Sequence, residues 1–188
     1  MTCSRPIDPA VLADYWLADL PASEEAALEE HLMVCESCAH ELDQIIALAS
    51  GIRKLAREGA LKMILTPEFL DGMAREGLRI REYAPSSGGS VQCTVTSQDD
   101  FLVSRLAADL RGIERLDLAL CDVTGAELQR FTDVPFQDSA DASVLLNYPV
   151  RIAREEQAYT LIMKLLAVTP AGERLIGEYT FNHTPSSI

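Results

Sequence analysis

The stretch HLMVCESCAHEL, residues 31–42, sets His31, Cys35 and Cys38 at spacings of four and three. Two thiolates and an imidazole are the donors zinc prefers, and thiols in such a cluster are also open to oxidants. Leu28, His31, Leu32 and Cys35 fall at i, i+3, i+4 and i+7, so on a helix they share one face. Cys38, at the mouth of the next helix, can converge on the same point. Three ligands are visible where a structural zinc site takes four. The fourth is to be drawn from Cys3, His40, His183, a carboxylate or water. Cys3 fits best, because a short helical bundle returns its N-terminal end beside the junction of its second and third helices. Haem attachment needs His directly after the second cysteine, where Ala39 stands. A thioredoxin-like Cys-x-x-Cys follows a strand, whereas a helix precedes this one.

The elements that must hold these residues follow from hydrophobic periodicity, which is helical before residue 82 and alternating after residue 90. Asp8-Pro9 opens a helix carrying Leu12, Tyr15, Trp16 and Leu20. Ser23 is expected to cap a second, with Glu24 and Glu25 in its first turn. A third carries Leu42, Ile45, Ile46, Ala49, Ile52 and Leu55, long enough to pack across both predecessors. Thr66-Pro67-Glu68 starts a fourth, with Phe69, Leu70 and Met73 on one side and Gly72 and Gly77 weakening it. A marginal helix with large apolar residues needs a surface to lie on, and these three side chains are expected to meet a protein partner.

The run APSSGGS, residues 84–90, reads as a flexible linker. Beyond it, strands are expected over Val91–Thr96, Phe101–Ala107, Leu116–Cys121, Leu128–Thr132, Ser143–Leu146, Val150–Ala153, Tyr159–Val168 and Arg174–His183. The last two form a hairpin, and Leu175, Gly177, Tyr179 and Phe181 alternate onto one face. Cys93 and Cys121 are expected inside strands as small apolar residues. The fold class is α+β in two domains: a bundle of about four helices over residues 1–83, then a β-sandwich over residues 91–188.

The chain has 188 residues, enough for two small cores, and a net charge of -13. Residues 1–83 carry 8 basic and 15 acidic residues, the remainder 8 and 14, so both halves are acidic. Between Pro6 and Ile52 there are ten acids and no Lys or Arg. Such a surface repels nucleic acid and anionic membranes and attracts a basic protein. No segment is apolar for long enough to cross a membrane. MTCSRPIDPAVLADYW places Asp8 and Asp14 where an export signal would be apolar, so a cytoplasmic location is expected. Five cysteines without an export signal point to metal or redox chemistry rather than a disulfide framework. No Gly-rich phosphate loop and no Ser, His and acid grouping is present, so an enzyme is not expected.

Cys3, the H-x3-C-x2-C motif of His31, Cys35 and Cys38, the preceding LADYWLADLPASEEAALEEHL and the apolar helix that follows resemble the zinc-binding anti-sigma factors. The likeness covers residues 3 to about 80. It implies zinc held by His31, Cys35 and Cys38, with Cys3 at a position where the family varies. It also implies a domain that wedges between the two promoter-recognising domains of an alternative sigma factor and blocks docking on RNA polymerase. Many relatives have a transmembrane helix, which this chain lacks. Oxidation of Cys3 with Cys35 or Cys38 would expel the metal and make the site a redox switch. The alternative function is a zinc-dependent redox or ligand sensor acting on another protein.

Overall fold

The structure, a computed structural model, describes Cys3 and residues 5–185. The chain divides into two compact units, Met1–Ala56 and Arg57–Ile188. The division falls at the end of the third helix, not in residues 84–90.

The first unit is built from α1 (Pro9–Leu17), α2 (Ala22–Val34) and α3 (Glu36–Arg57). Asp8 caps α1, its Oδ1 accepting from the Ala10 amide at 2.8 Å, and Pro9 follows where no amide is needed. Ala18, in the left-handed region, ends the helix. For α2 the cap position is Pro21, whose carbonyl accepts from the Glu24 and Glu25 amides, so Ser23 lies inside the first turn rather than capping it. Leu12, Leu28 and Cys38 are buried in this unit, together with Ala56. Arg53 lies over the Trp16 ring, 4.2 Å from its centroid, linking α3 to α1. At 22 residues, α3 outlasts the 13 of α2 and the 9 of α1. It therefore presents more apolar residues than its neighbours can cover, and Leu48, Ile52 and Leu55 remain exposed.

The second unit holds nine strands among the described residues. One sheet contains β1 (Met63–Leu65), β2 (Ile80–Tyr83), β4 (Phe101–Ala108) and β7 (Ala142–Tyr148), in the order β1-β7-β4-β2. The other contains β3 (Ser90–Cys93), β5 (Leu116–Cys121), β6 (Glu127–Phe131), β8 (Tyr159–Thr169) and β9 (Gly172–His183), in the order β3-β9-β8-β5-β6. Alternate residues of both sheets meet in one apolar cluster: Leu102, Leu106, Val144 and Leu146 from the first, Leu118, Leu165, Tyr179 and Phe181 from the second. The Tyr179 hydroxyl donates to the Ala107 carbonyl at 2.6 Å and ties β9 to β4. Gly177 leaves the room for that ring, since a Cβ there would lie 2.5 Å from the hydroxyl.

The fourth expected helix exists as α4 (Pro67–Arg75), capped by Thr66, whose hydroxyl accepts from the Phe69 amide at 3.2 Å. It belongs to the second unit. Leu70 and Met73 are buried with Leu65, Phe101, Val103 and Leu145 on the face of the four-stranded sheet turned away from the main cluster. Strand β4 is consequently buried on both faces, Leu102 and Leu106 to one side, Phe101 and Val103 to the other. The expected bundle of four helices is thus three.

Three further expectations are corrected. Residues 84–90 do not form a free linker. Pro85 is buried, the Gly88 amide donates to the Glu178 carbonyl at 2.7 Å, and the Thr180 amide donates to Gly89. The segment carries the chain from one sheet to the other, and Gly88, at φ +75°, supplies a turn other residues resist. Val150–Ala153, expected as a strand, begins a helix, α5 (Val150–Glu155), because Pro149 sets the first turn and its carbonyl accepts from Ala153. Val150 and Ala153, three apart, are both buried, a helical rather than an alternating pattern. Finally, the register of β8 on β9 shifts between Leu165 and Leu166, so Leu175 turns outward and is exposed while Tyr179 and Phe181 stay inside.

Candidate metal centre

A single extended residue makes the site. α2 stops at Val34, and Cys35, at φ -118° and ψ 94°, separates it from α3, which starts at Glu36. The Cys35 amide still bonds to the His31 carbonyl at 2.9 Å, and its carbonyl accepts from Ala39 at 3.1 Å. Cys35 therefore closes one helix and opens the next, with its thiol among the free amides at the start of α3. His31, one turn earlier on α2, and Cys38, in the first turn of α3, face the same point. Cys3 reaches it from the segment before α1.

His31 Nε2 lies 3.6 Å from Cys3 Sγ and 3.3 Å from Cys38 Sγ. One ligand atom from each of Cys3, His31, Cys35 and Cys38 falls within 4.8 Å of all the others, and among the described residues this is the one such group. A tetrahedral zinc with ordinary Zn–S and Zn–N bonds sets neighbouring donors about 3.6–3.8 Å apart, so these donors fit an ion of that size. Cys38 is buried and the other three are partly exposed, which leaves a way in for the metal. All five cysteines are free.

The thiols are not equivalent. The Cys38 amide donates to the Cys35 sulfur, and Cys3 adds a side-chain hydrogen bond, so the Cys35 pKa is lowered to about 7. Cys3 is drawn down by the Arg5 amide, but desolvation and its neighbours Cys35 and Cys38 win, and its pKa is raised. Metal binding requires deprotonated sulfur, so Cys35 is readier than Cys3 to coordinate at neutral pH.

Of the three side chains named as a fourth donor, the structure brings Cys3 into the cluster. His40 is not in the cluster, its Nε2 lying 2.9 Å from Gln44 Nε2 on the exposed side of α3. His183 belongs to the other unit, where it is buried with its ring centroid 5.0 Å from that of Tyr159. Burial pulls its pKa down, which favours the neutral ring, and its Nε2 has no hydrogen-bond partner among the described residues. Cys3 remains. Cys93 and Cys121 are strand residues buried among apolar neighbours, as expected.

Phe69, Leu70 and Met73, expected to await a partner, already have one in their own sheet: Leu70 and Met73 are under 10 % exposed, and the Phe69 ring stands 6.4 Å from Phe101. Exposed apolar residues lie elsewhere, among them Leu48, Ile52 and Leu55 on α3 and Met33 and Val34 beside the metal cluster. The periodicity of α3 had marked Ile52 and Leu55 as core. What identifies them as surface is the mismatch in helix lengths. No helix among the described residues is long and apolar enough to cross a membrane. No family model matches the chain, and no curated protein matches it.

Proposed function

We propose that the protein is an anti-sigma factor: its helical unit, held by zinc, binds an alternative sigma factor and keeps it from RNA polymerase until a signal intervenes. The observation that carries this reading is the convergence of Cys3, His31, Cys35 and Cys38 at the α2–α3 junction of a unit with few buried side chains. A core that small leans on the ion for its stability. The residues in the cluster are those on which the resemblance to zinc-binding anti-sigma factors rests. The charge agrees: DNA-binding partners are basic, and residues 6–52 hold ten acids and no base. No enzymatic role is assigned. Free thiols and a thiol-rich metal cluster suit the reducing cytoplasm. The two sheets we read as a sandwich that receives the signal.

The test is co-expression of the full chain with each alternative sigma factor of its own genome. One of them should co-purify in a stable complex with zinc present and be lost from the Cys35→Ser variant. A zinc-loaded, folded protein that retains none of them rejects the reading.

A second reading, a zinc-dependent redox or ligand sensor acting on another protein, is favoured by the Cys35 thiol at about 7. Peroxide would take two electrons from Cys35 and Cys3 or Cys38, leaving a disulfide, water and released metal. For a ligand, the second unit offers a cavity of about 210 Å³ beside Thr66, Pro67 and Phe136.

A further inference from the structure

α3 carries two apolar faces. Leu42, Ile46 and Ala49 are half-buried, at i, i+4 and i+7, and form the inward one. Ile45, Leu48, Ile52 and Leu55 follow at spacings of three, four and three and form another, on which Ile45 is half-buried and Leu48 is 67 %, Ile52 50 % and Leu55 44 % exposed. That spacing is the a-d-a-d seam of a heptad repeat, with β-branched Ile at both a positions and Leu at both d positions, the combination that favours two-stranded helix packing. The flanking e and g positions hold Gln44, Ala49, Gly51 and Ala56. None is charged and three are small, so a second helix can approach closely along this stretch. From Ile45 to Leu55 the seam runs about 15 Å, some three turns.

We propose that this seam is the docking surface for one basic amphipathic helix of the protein partner. The inference rests on the reading that the helical unit binds a protein, and it names the element recognised. A 3-4 spaced row of knobs is matched by another helix, whereas an extended strand presents side chains at a period of two. Charge selects among helices. Residues 3–56 contain 3 bases and 10 acids, a net of -7, so a second copy of the chain would bring two strongly negative units together. A basic helix is instead drawn in, and Glu41, which continues the seam one heptad before Leu48, is exposed and available to it.

The experiment uses the full, zinc-loaded chain and two fluorescein-labelled synthetic peptides of three heptads, with Ile at a and Leu at d. One has Lys at every e and g position and the other Glu. Fluorescence anisotropy should show the Lys peptide binding at least about tenfold more tightly than the Glu peptide, with affinity falling as salt rises. Leu48→Gln and Ile52→Asp, both at exposed positions, should weaken the Lys peptide by about tenfold or more while zinc content and helical circular dichroism stay as in the parent. Equal binding of the two peptides, or indifference of the Lys peptide to both substitutions, overturns the proposal. So does a dimer in sedimentation that Ile52→Asp dissolves, because the occupant is then a second copy. If the substituted chains still co-purify with a sigma factor, the anti-sigma reading stands and the seam assignment fails. If the peptide result holds and no sigma factor binds, the reverse is true.

Discussion

At the scale of single residues, chemistry concentrates on Cys35. Its sulfur sits at the start of α3 and accepts from the Cys38 amide, which is why its pKa falls to about 7 while that of Cys3 rises. In metal-free protein, iodoacetamide should therefore modify Cys35 first, at a rate that climbs as pH passes 7 and the thiolate forms. Cys93, whose pKa burial pushes up to about 11, should stay unmodified until the second unit unfolds. Peptide mapping by mass spectrometry reads both outcomes, and equal labelling of Cys3, Cys35 and Cys38 would remove the special place given to Cys35. Loading zinc should protect all three. The His31, Cys35 and Cys38 part of the site was legible in the sequence because the three lie within eight residues, at the end of one helix and the mouth of the next. Cys3 was legible only through the expected return of the chain in a short bundle, since a residue 28 positions from His31 is brought to it by the path of the chain ahead of α1.

At the scale of elements, the sequence was most informative where local rules and packing agree. Asp8-Pro9 and Thr66-Pro67 announce helices that begin where they should. Strands β4, β5, β8 and β9 lie where their apolar sequence patterns put them. The failures share one cause, a neighbour that the sequence does not display. Val150–Ala153 has strand-like composition, but Pro149 starts a helix whose buried face is set by the apolar cluster. β1 and β2 are three and four residues long, too short for a period of two to be read, and exist because β7 and β4 offer edges to pair with. α4 looked like a helix in need of a partner, and its partner is the four-stranded sheet. Met73, 2 % exposed, is the deepest α4 residue in that contact. Met73→Ala should cost about 2–4 kcal/mol in urea unfolding of the second unit, through lost transfer energy and the cavity left behind. A change within about 0.5 kcal/mol, the usual range at an exposed site, would mean that α4 does not lie on the sheet in solution.

At the scale of the whole molecule, the position of the division decides how function can be dissected. A cut after Tyr83, which the change of periodicity suggests, passes through the four-stranded sheet. It would keep β1, β2 and α4 and discard β7 and β4, the strands that pair with β1 and β2. Leu65, Leu70 and Met73 would lose the sheet side of their packing, each exposing apolar surface worth about 1.5–3 kcal/mol when fully buried. No pairing within the remaining piece replaces it. A protein ending at Tyr83 should therefore bind the dye ANS and aggregate, and any failure to inhibit a sigma factor would say nothing about the helical unit. A protein starting at Arg57 keeps both sheets, the main apolar cluster and the α4 contact, and should unfold in one cooperative transition. Calorimetry of the two pieces tests this. If the piece ending at Tyr83 were monomeric, dye-negative and cooperative while the one starting at Arg57 melted without a transition, α4 would belong with the helices. On the proposed reading, the division at Ala56 leaves the grip on a partner to residues of α1, α2 and α3.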